Sequence, residues 1–243
     1  PSTLSLPKTP IDEFKDLHEA SSKLLQRNLE IYQNQKQFIE NAAHELQTPL
    51  AVAINKLETL AEESTLSDRS GQLLAETLEH LEQLTRLNRS LLLLSKIDNR
   101  QFSEEKKVHL NKIVRKAVSD FEDFTKFREV AIRINEKSEL WLTMNEDLAI
   151  ILVTNLIKNA IVHNHKDGYV EIVIDKTHLD IANSGKPVPL DGEKIFQRFY
   201  ATGKDAGSTG LGLAIVHSIC KLYGFSLSYH FDQAHHINVG FSS

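Results

Sequence analysis

Over residues 12–97 apolar side chains recur at steps of three and four. Phe38, Ala42, Leu46, Ala53, Leu57 and Leu60 form one series, and Leu74, Leu78, Leu81, Leu84, Leu87, Leu91 and Leu94 a second. That period places each series on one stripe of an α-helix. In the same stretch Gly occurs only at 71 and Pro only at 49, and good helix formers dominate, so propensity agrees with period. Between the series, Ser64-Thr65-Leu66-Ser67-Asp68-Arg69-Ser70-Gly71 is rich in turn and capping residues and predicts a chain reversal. The result is a helical hairpin. Two helices cover two apolar stripes poorly, so pairing of two copies into a four-helix bundle is expected, and with it a homodimer.

Upstream, Thr9-Pro10-Ile11-Asp12-Glu13-Phe14 has the pattern of a helix start, with Thr9 as cap and Pro10 in the first turn. A helix from there through His44 reads equally well as a solvated lead-in or as a signal-transmitting coiled coil. Past residue 100 the pattern alternates with period two. Strands are predicted at 106–110, 130–135, 140–143, 169–175, 178–183, 225–231 and 237–241, with helices at 111–127, 146–163 and 211–223. Asn145 caps the second of these helices and Gly224 ends the third. The class is therefore α+β: a helical hairpin forming a dimeric four-helix bundle, followed by an α/β sandwich with a mixed sheet.

Composition narrows the chemistry. The 243 residues carry 28 Lys+Arg against 33 Asp+Glu, a net charge of −5, which gives no electrostatic drive toward nucleic acid. One cysteine, Cys220, excludes an intramolecular disulfide and suits a reducing compartment. No apolar run approaches the roughly 20 residues of a membrane-spanning helix, and the chain reads as an excised cytosolic fragment.

Three segments carry chemistry. Gly203, Gly207, Gly210 and Gly212 fall within ten residues and end in Thr209-Gly210-Leu211-Gly212 at a predicted helix start. Such a start offers free N–H groups and a positive dipole end to a phosphate, while glycine admits close backbone approach. Neither a Walker loop nor a dinucleotide fingerprint fits, and a plain flexible turn is the alternative. On the helix at 146–163, Asn155, Asn159 and His163 are spaced by four and share a face; asparagine oxygens there suit Mg²⁺, or are simply solvated. In Phe38 to Leu50, Pro49 should bend the helix one turn past His44, whose imidazole is a nucleophile beside the carboxylate of Glu45, with Thr48 on the same face. Thr48 stands where a zinc peptidase needs its second histidine. Metal roles for His163-Asn164-His165 or for His235-His236 lack a third ligand, and surface histidines explain both.

Together these segments resemble the sensor histidine kinases of two-component systems, over nearly the whole chain. The string ending at Leu50 is similar to that family's H box, Asn155 to His163 to its N box, Phe196-Gln197-Arg198-Phe199-Tyr200 to its F box, and Gly210-Leu211-Gly212-Leu213 to its G2 box. The resemblance implies a linker over 1–35 that looks like the end of a HAMP module, a dimerisation and phosphotransfer domain over 36–100, and over 101–243 an ATP-binding domain of the Bergerat type shared with gyrase, mismatch-repair and chaperone ATPases. It implies His44 as phosphoacceptor, Glu45 as its base and Thr48 as the residue positioning a water for dephosphorylating a response regulator. It further implies Mg²⁺ on Asn159 with Asn155 beside it, and ATP held by Asn155, Asn159, His163, Asn183, Gly185, Phe196, Phe199, Thr209, Gly210, Leu211 and Gly212. Arg198 or Lys204 would supply a phosphate-binding charge, since Val162 stands where many relatives place a basic residue. The implied partners are a second copy and a receiver domain, and the implied location is the cytoplasmic portion of a bacterial inner-membrane protein, joined to the membrane through a preceding sensor part.

Related ATPases carry a water-activating glutamate where Asn155 stands, which favours transfer over hydrolysis. The G1 box departs from the family's DxGxG: Asn183-Ser184-Gly185-Lys186-Pro187 replaces its aspartate and second glycine. A neutral hydrogen bond in place of a charged one loses roughly 1 kcal/mol, about fivefold in affinity. A pseudokinase, a dimeric scaffold binding ATP weakly, is the alternative those changes motivate.

Overall fold

The computed structural model describes residues 12–63, 66–200 and 209–241. Thr9, Pro10, Gly203, Lys204 and Gly207 lie outside the described residues. Helix α1 (Asp12–Glu63) runs unbroken through Pro49, and α2 (Asp68–Asp98) returns alongside it. Proline lacks the N–H that would bond to the carbonyl of Glu45, yet the helix continues past it. Ser67 caps α2, its Oγ accepting from the N–H of Ser70 at 3.3 Å. That cap draws Gly71, expected in the turn, into the first helical turn of α2.

The second half holds β1 (Lys106–His109), α3 (Leu110–Asp120), α4 (Glu122–Arg128), β2 (Ala131–Glu136), β3 (Trp141–Met144), α5 (Glu146–Val162), β4 (Tyr169–Ile174), β5 (His178–Asn183), α6 (Gly212–Tyr223), β6 (Ser226–Phe231) and β7 (His235–Gly240). Five strands form one sheet in the order β2-β4-β5-β7-β6, with β2 and β4 parallel and the other pairs antiparallel, so it is mixed as expected. The strands β1 and β3 form a separate antiparallel pair. The helix expected at 111–127 is two helices, because the backbone at Phe121 (φ −96°, ψ 5°) leaves the helical region between α3 and α4. At the other end, strand β7 begins two residues earlier than its period suggested.

One face of the sheet is dry. Leu179 and Ile181 of β5, Val170, Ile172 and Ile174 of β4, and Ile237 and Val239 of β7 are buried in a common core with the apolar side of α5, where Leu148, Ala149, Leu152, Val153, Leu156, Ile157, Ala160 and Ile161 are at most 2% exposed. The alternation along β7 turns His236 and Asn238 to the opposite, open face. Asn111 braces the α3 end: its Oδ1 accepts from the N–H of Leu140 at 2.9 Å, and its Nδ2 donates to Glu136 at 2.9 Å and to the carbonyl of Ser138 at 3.0 Å. The hairpin meets this half where α2 packs on α6, and burial on α2 concentrates at that foot, in Leu92, Leu94, Ser95 and Ile97. No helix among the described residues is long and apolar enough to cross a membrane.

Candidate functional site

His44, Glu45 and Thr48 stand exposed on α1. Just before them, the buried Nδ2 of Asn88 on α2 donates to the carbonyl of Ala43 at 2.5 Å. This contact across the hairpin pins the backbone next to His44. Sequence periodicity missed it, since an asparagine among the leucines of α2 reads as a surface residue. A groove of roughly 420 Å³ opens alongside, lined by Gln47, Leu50, Ile54, Thr85, Asn88 and Arg89 among others. Among the described residues, no hydrogen bond, ion pair or ring contact joins His44 to α5 or to Gly210.

On α5 the three residues spaced by four are all half-buried along one side of the helix. Asn155 donates from Nδ2 to the carbonyl of Ile151 at 2.8 Å, so its amide is fixed, and its Oδ1 lies 3.1 Å from where a Cβ on Gly212 would sit. The start of α6 thus passes close to Asn155, and a side chain at position 212 would press on that amide. No hydrogen bond among the described residues engages the amide of Asn159, which leaves an oxygen donor on a half-buried surface. That is a donor of the type a hard cation such as Mg²⁺ takes.

Gly210 has φ +66°, and a Cβ there would meet the backbone of Phe199 at 2.9 Å. The N–H of Phe199 in turn donates to the carbonyl of Gly210 at 2.9 Å. Backbone contact therefore joins Gly210 to Phe199, which is itself at φ 64°. Phe196 is half-buried against the ring of His217. Arg198, expected as one of two possible phosphate charges, reaches the hairpin instead: its Nη2 donates to Oδ2 of Asp98 at 2.8 Å, tying the end of α2 to the stretch that holds Phe196 and Phe199.

Asn183 is 5% exposed at the end of β5, and Gly185 is wedged between its amide, the carbonyl of His163 and the ring of His235. A Cβ on Gly185 would approach all three at 3.0 Å or less, so this close passage requires glycine. The loop beyond is held from β7. His235 Nε2 donates to the carbonyl of Lys186 at 2.7 Å, its Nδ1 accepts from the hydroxyl of Tyr229 at 2.8 Å, and that hydroxyl accepts from the N–H of Leu190 at 2.9 Å. The carbonyl can only accept, which fixes the imidazole tautomer. His235, expected at the surface, is thus buried and braces the stretch 186–190. Asn164 is equally occupied, its Oδ1 accepting from Ser184 Oγ at 2.8 Å and its Nδ2 donating to the carbonyl of Tyr169 at 2.8 Å. A metal role for the 163–165 cluster has no support in this geometry.

Comparison with known proteins fits the two halves separately. Residues 34–100 match the His Kinase A (phospho-acceptor) domain, and residues 144–240 match the histidine kinase-, DNA gyrase B- and HSP90-like ATPase. The heme sensor protein HssS of Staphylococcus epidermidis is 31% identical over 227 residues, covering 91% of this chain and 50% of that protein. The sensor protein CzcS of Cupriavidus metallidurans is 32% identical over 235 residues, covering 91% of this chain and 48% of that protein. The chain thus spans about half the length of these relatives. In fold it is similar to full-length ShkA in complex with AMPPNP (TM-score 0.69, 19% identity, 84% of this chain and 45% of that one) and to the histidine kinase AdeS of Acinetobacter baumannii (TM-score 0.57, 22% identity, 82% and 97%). With the phosphoacceptor and ATPase domains following one another in this order, the chain belongs to the sensor histidine kinases of two-component systems.

Proposed function

We propose that the chain phosphorylates its own His44 from ATP and passes the phosphoryl group to an aspartate of a response-regulator receiver domain. The observation that carries this reading is the pairing, in one chain, of an exposed His44 inside a phosphoacceptor domain with an ATPase domain whose Asn159 amide has no hydrogen-bond partner among the described residues. In the transfer, a ring nitrogen of His44 attacks the γ-phosphorus, a P–N bond forms and the P–O bond to ADP breaks. Glu45 takes the proton from the other ring nitrogen. Asn159, with Asn155 beside it, would hold Mg²⁺, which supplies charge neutralisation on the phosphates; positioning and electrostatics dominate such transfers. The N-terminal N–H groups of α6 at Gly212, together with Thr209, Gly210 and Leu211, suit the phosphates. Asn183 and Gly185 suit the adenine, with His163, Phe196 and Phe199 bordering the nucleotide.

Since Arg198 is engaged by Asp98 on the hairpin, its part in this reading is to join the two domains, and Lys204 is left as the phosphate charge. The half-exposed leucines of the hairpin support a homodimer. Thr48, one turn beyond His44, supports dephosphorylation of the regulator from the same face. The relatives being sensor proteins, this chain is the cytoplasmic portion of a bacterial inner-membrane sensor. Asn183 in place of aspartate favours a second reading, a scaffold with weak ATP affinity.

The test is incubation with γ-labelled Mg·ATP. Label that is lost in acid, survives base and vanishes in His44→Gln supports the kinase. Label that persists in His44→Gln overturns the site, and calorimetry without ATP binding selects the scaffold.

A further inference from the structure

Outside the residues used above, three ligating side chains converge on the open face of the sheet, at the β6–β7 hairpin. The register pairs His230 directly with His236, and their rings stack with centroids 4.3 Å apart and planes inclined by 14°. Asp232, in the intervening turn, places Oδ1 2.9 Å from Nε2 of His236. One ligand atom from each of His230, Asp232 and His236 lies within 4.8 Å of the others. A fourth group stands behind them. Asp180 on β5 holds Nδ1 of His236 at 2.9 Å through Oδ2, while its buried Oδ1 has no partner among the described residues.

The chemistry of His236 is the decisive point. Carboxylates accept hydrogen bonds and do not donate them, so a carboxylate on each ring nitrogen requires either two ring protons or one proton and one cation. Asp180 is the more sheltered of the two acids, its side chain 16% exposed against 66% for Asp232. It therefore keeps the Nδ1 proton, which aims Nε2 at Asp232 and His230. A carboxylate that orients a histidine whose other nitrogen meets further ligands is the arrangement that surrounds histidine-bound zinc.

We propose that His230, Asp232 and His236 form a binding site for a divalent transition-metal cation of the zinc class, with Asp180 as its positioning residue. Two imidazoles and one carboxylate suit such an ion, and the all-oxygen preference of Mg²⁺ and Ca²⁺ sets it apart from the ion expected at Asn159. Metal–ligand bonds of about 2.0–2.1 Å put tetrahedral donors roughly 3.4 Å apart. The 2.9 Å pair then opens slightly as a proton gives way to the metal, and the exposed His230 turns to close its side. The fourth position faces solvent and takes water. Because His235 holds the carbonyl of Lys186 from the neighbouring position on β7, a metal here stiffens the strand that braces the loop at 186–190.

The experiment uses the 243-residue chain stripped with a chelator, then titrated with Zn²⁺ against a chromophoric chelator in the presence of excess Mg²⁺. One equivalent is retained, and the metal raises the melting temperature. His230→Ala and His236→Ala lose that equivalent, Asp180→Asn weakens it about 10- to 100-fold, and His80→Ala, an exposed histidine on α2, leaves it intact. His230 is exposed, so its variant keeps the metal-free melting temperature and separates lost binding from lost folding. Retention of the equivalent by His230→Ala, its displacement by Mg²⁺, or the absence of stoichiometric Zn²⁺ binding overturns the proposal.

Discussion

The hairpin and the ATPase half differ in how far a single copy completes them. On α5 eight side chains are at most 2% exposed, whereas among the described side chains of α1 only Ala43 is buried. Leu46, Leu60 and Leu84, members of the two apolar stripes, are 47–52% exposed. A sheet with helices on one face closes a core by itself, while two helices side by side do not. One half is thus a folding unit, and the other is a surface on which packing remains to be made. The difference also bears on the proposed function: His44 sits on the half whose packing can change at little cost.

The sharpest way to break this comparison is to truncate one leucine in each half. Leu156→Ala should cost about 2–5 kcal/mol in urea denaturation, the range for a large side chain removed from a closed core. Leu84→Ala should cost less than about 1 kcal/mol at high dilution, with an effect that grows with protein concentration as dimer is lost. Equal costs at dilution would show that the hairpin is already closed within one copy. Next in size, Asn88→Ala should lose about 1–3 kcal/mol, because it removes a buried polar tie between α1 and α2 next to His44. It should also slow labelling of His44, measured as initial rate, more than a surface change such as Glu79→Ala.

A smaller effect is expected at Gly210. Adding a Cβ at φ +66° against the backbone of Phe199 costs about 1–2 kcal/mol. That cost should appear in ATP affinity by calorimetry more than in the melting temperature, since Gly210 belongs to the proposed phosphate site and lies outside the core. The smallest effect concerns acid. Hydrogen bonds from Asn111, and then the guanidinium of Arg115, hold the Glu136 carboxyl below the ordinary glutamate range. A lowered folded pKa means that the unfolded chain binds the proton first as pH falls. The stabilisation is therefore fully present above the ordinary glutamate pKa and lost as pH drops through the folded value. Glu136→Gln should flatten that acid limb of the stability curve, with the difference from the unchanged chain shrinking as pH falls through the folded value.

Much of this architecture was legible because local pattern and tertiary context agree. Strand β5 runs over His178–Asn183 as its alternation predicts, and α5 starts at the asparagine cap. Between α3 and α4 the local signal misled: residues 111–127 are continuous in helix propensity, yet Phe121 packs against Phe124 and breaks the run. Two site features depend on a register that no local signal carries. His235 and His236 look alike in sequence, but strand alternation sends one into the core side and the other outward once β7 is begun at His235. The meeting of His230 with His236 needs the hairpin turn at Gln233, whose φ of 80° is unusual for a glutamine. Arg198 shows the same limit from another side, since its partner Asp98 is a hundred positions away.

The length of α1 has a mechanical consequence. Its 52 residues extend for about 78 Å, and the stretch from Asp12 to His44, roughly 48 Å, lies ahead of the hydrogen bond lost at Pro49 and is one hydrogen-bonded rod. Such a rod behaves as a drive shaft, conveying torsion with little loss. Successive side chains point about 100° apart around the axis, so a rotation of that size at Asp12 turns Glu45 to where His44 had faced. A twist too small to alter any helix length is then enough to take the nucleophile out of line and bring it back.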